Sequence, residues 1–108
     1  MNEQNAKIDG THLGLEDHGI MTFFLYMDYG GSGQGFGGYA LDGKSGTIGH
    51  AKSILAIRRI LEVIGVTKWE DLKGKYCRVR RGERWNGTIK AIGHIVEDKW
   101  FDIEEHFK

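Results

Sequence analysis

The sequence predicts an α+β domain: a mostly antiparallel sheet with one main helix packed on it, in the order β-β-β-α-β-β. Three observations carry this. Residues 20–29 alternate as a strand does, with Met21, Phe23, Leu25 and Met27 on one face and Ile20, Thr22, Phe24, Tyr26 and Asp28 on the other. Residues 50–64 instead gather Ile54, Ile57, Ile60, Leu61 and Ile64 on one side at the period of a helix. Residues 75–81 and 88–96 alternate again, and the Gly82 to Gly87 connection suits an antiparallel pair.

Taken in order, residues 6–15 read as a first strand that turns at Glu16-Asp17-His18-Gly19 into the second. Rings on both faces of that second strand predict a central position with cover on both sides. Residues 34–42 return as a third strand, with Phe36, Gly38 and Ala40 on one face and Gly35, Gly37, Tyr39 and Leu41 on the other. The helix over 50–64 stops at Gly65, a natural C′ residue. Thr67 and Glu70 have capping-box spacing ahead of a short helical turn through Trp69 and Leu72. The tail from Trp100 to Phe107 is acidic and aromatic, with a helical end.

The chain of 108 residues suffices for one domain, 1–108, with a modest core. Lys plus Arg equals Asp plus Glu at 15 each, so summed charge gives no reason to expect duplex nucleic acid or an acidic membrane as partner. The distribution is uneven, however. Residues 73–90 hold Lys73, Lys75, Arg78, Arg80, Arg81, Arg84 and Lys90 against Glu83 alone, a patch suited to a compact anion. Cys77 is the only cysteine, which excludes an internal disulfide and fits a reducing cytoplasm. The polar N-terminus lacks a signal-peptide core, and no apolar run approaches the roughly 20 residues of a membrane helix.

Between Tyr29 and Tyr39 six glycines are threaded with Phe36. Gly33-x-Gly35-x-x-Gly38 matches a dinucleotide fingerprint in letters only, because strand rather than helix follows it. Two readings of the glycines stand: clearance for packing, or bare backbone against a ligand. Gly38 is expected to serve packing and Gly37 to clear a ligand or an interface. Among the five histidines none has zinc-protease spacing, and Ser32, Ser45, Ser53 and Cys77 lack nucleophile motifs. No enzyme, metal or cofactor is expected.

The candidate ligand residues follow from chemistry. Tyr76, Arg78 and Arg80 share one face of their strand, with Trp85 and Asn86 in the connection beyond; rings stack on bases and guanidinium groups meet phosphates. His50 opens the helix after Gly46-Thr47-Ile48-Gly49, where a helix N-terminus attracts anions. Arg58 lies at the edge of the apolar helix face, and Phe36 and Gly37 lie in the glycine stretch. Since one helix cannot cover both sides of the sheet, a second subunit is expected over Phe24, Tyr26 and Phe36, making the protein a homo-oligomer.

Several segments carry a resemblance: Glu16-Asp17-His18-Gly19-Ile20, the block Gly33-Gln34-Gly35-Phe36-Gly37-Gly38-Tyr39-Ala40-Leu41-Asp42, Val66-x-Lys68-Trp69-Glu70-Asp71-Leu72-Lys73-Gly74-Lys75 and Ile92-Gly93-His94-Ile95-x-x-Asp98-Lys99-Trp100-Phe101. Together they make the chain similar to the first family of Thoeris anti-defence proteins, which are phage-encoded. The resemblance implies a molecular sponge in the host bacterial cytoplasm. Such a protein binds a cyclic ADP-ribose isomer made by a TIR-domain enzyme, in some members also cyclic oligonucleotides, and holds it uncleaved at subunit boundaries. The competing expectations are a phage interaction module that blocks a host enzyme and, last, a nucleotide hydrolase.

Overall fold

A computed structural model describes residues 2–41, 50–82 and 88–108. The strands are β1 (Asn2–Leu15), β2 (Met21–Asp28), β3 (Gly33–Gly37), β4 (Tyr76–Arg81), β5 (Ile89–Gly93) and β6 (Trp100–Asp102); the helices are α1 (His50–Ile64) and the short α2 (Ile103–His106). They form the expected α+β architecture, a six-stranded antiparallel sheet in the order β3-β2-β1-β4-β5-β6 with one main helix.

Period-two alternation sorts the sheet into two faces. Register puts Ala6 opposite Cys77, Ile8 opposite Met27, Leu25 opposite Phe36 and Val79 opposite Ile92 on the same side. All are buried, and α1 packs its Ala56, Ile60, Val63 and Ile64 into the same core. Ile103 of α2 joins them. Each large side chain buried here contributes on the order of 1.5–3 kcal/mol. The helices therefore cover one face of the sheet. Among the described residues no helix is long and apolar enough to cross a membrane.

The helix ends as expected: Gly65 takes φ +92° and its N–H donates to Leu61 O at 2.8 Å. Its buried stripe is shifted, however. Ser53, Ala56, Ile60, Val63 and Ile64 face the sheet, and Ile54 is left 65 % exposed. Thr67 caps nothing: the turn at Trp69–Asp71 is a 3-10 turn with Lys68 at its N-cap and no side-chain cap bond.

Three strand boundaries differ from the sequence reading. β1 starts at Asn2 rather than residue 6, since its first half pairs with β4 instead of β2. β3 ends at Gly37 rather than 42, because Gly37 (φ +118°) and Gly38 (φ +93°) turn the chain out of extended geometry. Asp42 lies outside the described residues. β5 ends at Gly93 rather than 96, where the His94 imidazole reverses the chain by accepting the Val96 and Glu97 N–H groups on Nδ1 at 3.2 and 2.9 Å. That reversal creates β6, too short to show alternation in sequence. α2 follows at once, capped by Asp102 Oδ1, which accepts Glu105 N–H at 3.1 Å.

Cys77 sits fully buried between Ala6 and the core, and desolvation pushes its thiol from 9.0 up to about 12. Between about pH 9 and 12 the unfolded chain thus loses a proton that the folded chain keeps, so this group lowers stability as the pH rises through that window. Near neutral pH, iodoacetamide should leave native Cys77 unmodified and label it fully in denaturant, as mass spectrometry would read. Rapid labelling of the native protein would contradict the burial.

Candidate ligand-binding face

The second face of the sheet carries neither helix. Reading across it by register, Trp100, Gly93, Arg78 and Asn5 make one row, and Asp102, Ala91, Arg80 and Glu3 the next. Tyr76, Lys7, Asp28 and Gly33 follow, and Phe24 and Tyr26 project from β2 beyond them. Alternation on β4 therefore does bring Tyr76, Arg78 and Arg80 onto one surface.

Trp100 organises the cationic end of this surface. Its ring lies directly over Gly93, where a Cβ would stand 2.6 Å from Cε3. The guanidinium carbons of Arg80 and Arg78 lie 3.9 and 4.8 Å from the indole centroid. Arg78 is fixed from behind, donating from Nε to His94 O and from Nη2 to Glu97 O, both at 2.8 Å. Arg80 donates from Nε and Nη2 to Glu3 Oε2 at 3.2 and 2.9 Å, and Glu3 Oε1 lies 3.9 Å from Arg78 Nη1. One carboxylate thus serves two guanidinium groups, while Asp98 Oδ1 accepts the Trp100 indole N–H at 3.1 Å; over the rows named, Arg78, Arg80 and Lys7 are balanced by Glu3, Asp28 and Asp102. Cation–π stacking adds about 0.5–1 kcal/mol per pair at such half-exposed sites. Lys7, which makes no ion pair among the described residues, reaches 6.0 Å from the Tyr76 centroid and places a third cation on this face, in register with Asp28.

The aromatic end has the same construction. Phe24 and Tyr26 lie nearly parallel in a stacked pair, 14° apart with centroids at 6.0 Å. A Cβ at Gly38 would stand 2.9 Å from Phe24 Cζ, one at Gly35 3.4 Å from Phe24 Cδ1, and one at Gly10 3.4 Å from Tyr26 Cδ2. Tyr26 and Tyr76 remain 48 % and 61 % exposed, so their ring faces meet solvent.

The other sequence-derived candidates do not join this surface. Phe36 points the opposite way and is 1 % exposed in the core, so the expected Phe24–Tyr26–Phe36 row does not form. Gly37 makes room for its own chain: a Cβ there would lie 2.5 Å from Phe23 O and 2.9 Å from the Phe23 ring. That corrects the expectation of ligand clearance at Gly37, whereas Gly38 behaves as packing, as expected. Arg58 is exposed on α1, ion-paired to Glu62 at 3.1 Å. It lines a groove of about 560 Å³ between α1 and β6 with Arg59, Asp102 and His106. His50 begins α1, but its side chain lies outside the described residues, as do Trp85 and Asn86.

Sequence reasoning missed Trp100, Glu3 and Lys7. The available signal was Gly93: a glycine inside an alternating strand marks a close approach, here by a ring on the next strand of the chain. No protein-family model, curated protein or solved structure matches this chain.

Gly93→Ala should push the indole off its seat and cost about 1–3 kcal/mol by overpacking. In a Trp100→Ala background the same change should cost much less, because the clashing ring is gone. Thermal denaturation of the four proteins reads the difference. An equal cost in both backgrounds would rule out the ring as the cause.

Proposed function

We propose that this protein binds a small anionic nucleotide on its open sheet face and holds it without chemical change. The observation that carries the reading is one surface on which two stacked, pre-oriented guanidinium groups and Lys7 stand beside solvent-facing tyrosine rings. Stacking a base on such a ring is worth about 1–3 kcal/mol, and a charge-assisted hydrogen bond to phosphate about 1.5–3 kcal/mol. Because both arginines are already held by protein groups, little side-chain entropy is lost when an anion arrives. The Arg80 Nη1 group makes no hydrogen bond among the described residues and offers a donor to it.

The sequence resemblance supplies the ligand class to try first: cyclic ADP-ribose isomers, then cyclic oligonucleotides. On this reading the protein is a phage-encoded sponge that acts in the host cytoplasm, removing an immune signal and so inhibiting anti-phage defence. A protein-interaction module is the second reading, favoured by the exposed rings of Tyr26 and Tyr76.

Thermal shift separates them. A nucleotide at 100 times its dissociation constant should add about 2.7 kcal/mol to stability, whereas an interaction module would show no shift with any nucleotide. Arg80→Ala and Tyr76→Ala should each weaken binding roughly tenfold or more, and Arg58→Ala, on the helix side, should leave it unchanged. Loss of binding in Arg58→Ala alone would move the site to the α1–β6 groove. Heat-denatured complex should return intact ligand; recovery of hydrolysis products would establish an enzyme instead.

A further inference from the structure

β1 is longer than either neighbour and changes partner along its length. It pairs with β4 only through Asn2–Lys7, and the last contacts on that side are Ile8 N–H to Lys75 O and Gly74 N–H to Ile8 O, at 2.8 and 2.7 Å. From Asp9 to Leu15 its only strand partner among the described residues is β2. Strand alternation turns the backbone groups of Gly10, His12 and Gly14 toward β2 and those of Thr11, Leu13 and Leu15 toward an open lane inside the sheet rather than at its rim.

The side chains along that lane favour pairing. Gly10 and Gly14 present nothing on the open face, leaving only His12 there. On the helix side, Leu13 and Leu15 are 37 % and 66 % exposed. They continue into an apolar groove lined by Leu13, Met21, Leu41, Ser53, Ile54 and Ile57, with Ile54 exposed at its lip. Natural edge strands are usually guarded by lysine, proline or an inward charge. Here Asp9 and the irregularity between Ile8 and Gly10 guard only the start of the lane, and the run Gly10–Leu15 has none of these.

The geometry points to a second copy of this chain as the occupant, pairing its own β1 antiparallel across a two-fold axis at Leu13. In that register Leu13 faces its counterpart, Thr11 faces Leu15, and His12 faces Gly14, so apolar side chains meet on the helix side and small ones on the other. In the same register Asp17 falls opposite Asp9, a like-charge pair that the two lysines beside Gly74 offset. The β1–β2 turn of one copy, carrying Glu16 and Asp17, arrives at the level of Asp9 and Gly10 of the other, beside Gly74. Lys73 and Lys75 flank that glycine, and both are exposed without an ion pair among the described residues. A register centred on His12 would instead drive the turn into Gly74. This interface differs from the one expected over Phe24 and Tyr26, and it leaves the nucleotide face open. It stands whether or not that face binds a nucleotide.

Sedimentation velocity should give a concentration-dependent dimer at twice the 12.2 kDa chain mass, weakening with salt. Leu13→Lys should raise the dimer dissociation constant about tenfold or more with far-UV circular dichroism unchanged. Lys73→Glu with Lys75→Glu should weaken the dimer similarly, and adding Glu16→Lys with Asp17→Lys should restore it. Under mild oxidation L13C should cross-link to itself, and L15C, which faces Thr11, should not; buried Cys77 stays out of this chemistry. The cysteine pair decides alone if Leu13→Lys fails to fold. A wild-type protein that stays monomeric, or a dimer that L13C does not trap and that charge reversal leaves intact, overturns the proposal.

Discussion

Aromatic rings seated against glycine backbone are the constraint on which the open face depends. Phe24 rests on Gly35 and Gly38, Tyr26 on Gly10, and Trp100 on Gly93. With both helices on the other side of the sheet, these rings would otherwise stand edge-on in water. Contact with glycine covers part of each ring, and the glycine in turn regains the packing it lacks. A methyl group at any of the tightest positions breaks the arrangement, since 2.6 Å and 2.9 Å are well inside van der Waals contact.

The cationic cluster inherits its order from that seat. Trp100 can sit over Gly93 because that residue has no side chain; Arg78 and Arg80 both converge on the indole; Glu3 then ties both guanidinium groups to β1. Each link is individually worth about a kilocalorie per mole or less, as expected for half-exposed cation–π and ion pairs. Their function is orientation. The two sides of the sheet thus differ, one closed by α1 and one aromatic and arginine-bearing, the surface proposed above for recognition. The change of partner along β1 adds a third surface, an open strand edge between them.

Local pattern made much of this legible in sequence. The alternation of β2 and β4 and the period of α1 follow from side-chain chemistry within ten or fifteen residues, so the faces of Phe23, Phe24, Tyr76, Arg78 and Arg80 could be assigned directly. What could not be read depends on distant partners. Glu3 and Arg80 are 77 positions apart, and nothing near either one foretells the other. β6 exists only because His94 reverses the chain, and a three-residue strand has no period. Phe36 misled for a related reason: a ring among glycines looks like a ligand contact, but strand pairing opposite Leu25 turns it into the core. Ile54 fits the helical period yet remains exposed, because the stripe that α1 buries runs through Ser53, Ala56, Ile60, Val63 and Ile64 instead.

The most direct test of the account maps a bound nucleotide onto the sheet. In an isotope-labelled sample titrated with cyclic ADP-ribose isomers, the Trp100 indole Nε1–H, the Arg78 and Arg80 Nε–H groups and the Lys7, Tyr76 and Gly93 amides should shift together and saturate at one stoichiometry. Signals from Arg58, Arg59 and the exposed side of α1 should stay in place. Shifts confined to the α1–β6 groove, or no shift with any nucleotide, would contradict the assignment of the open face as the recognition surface.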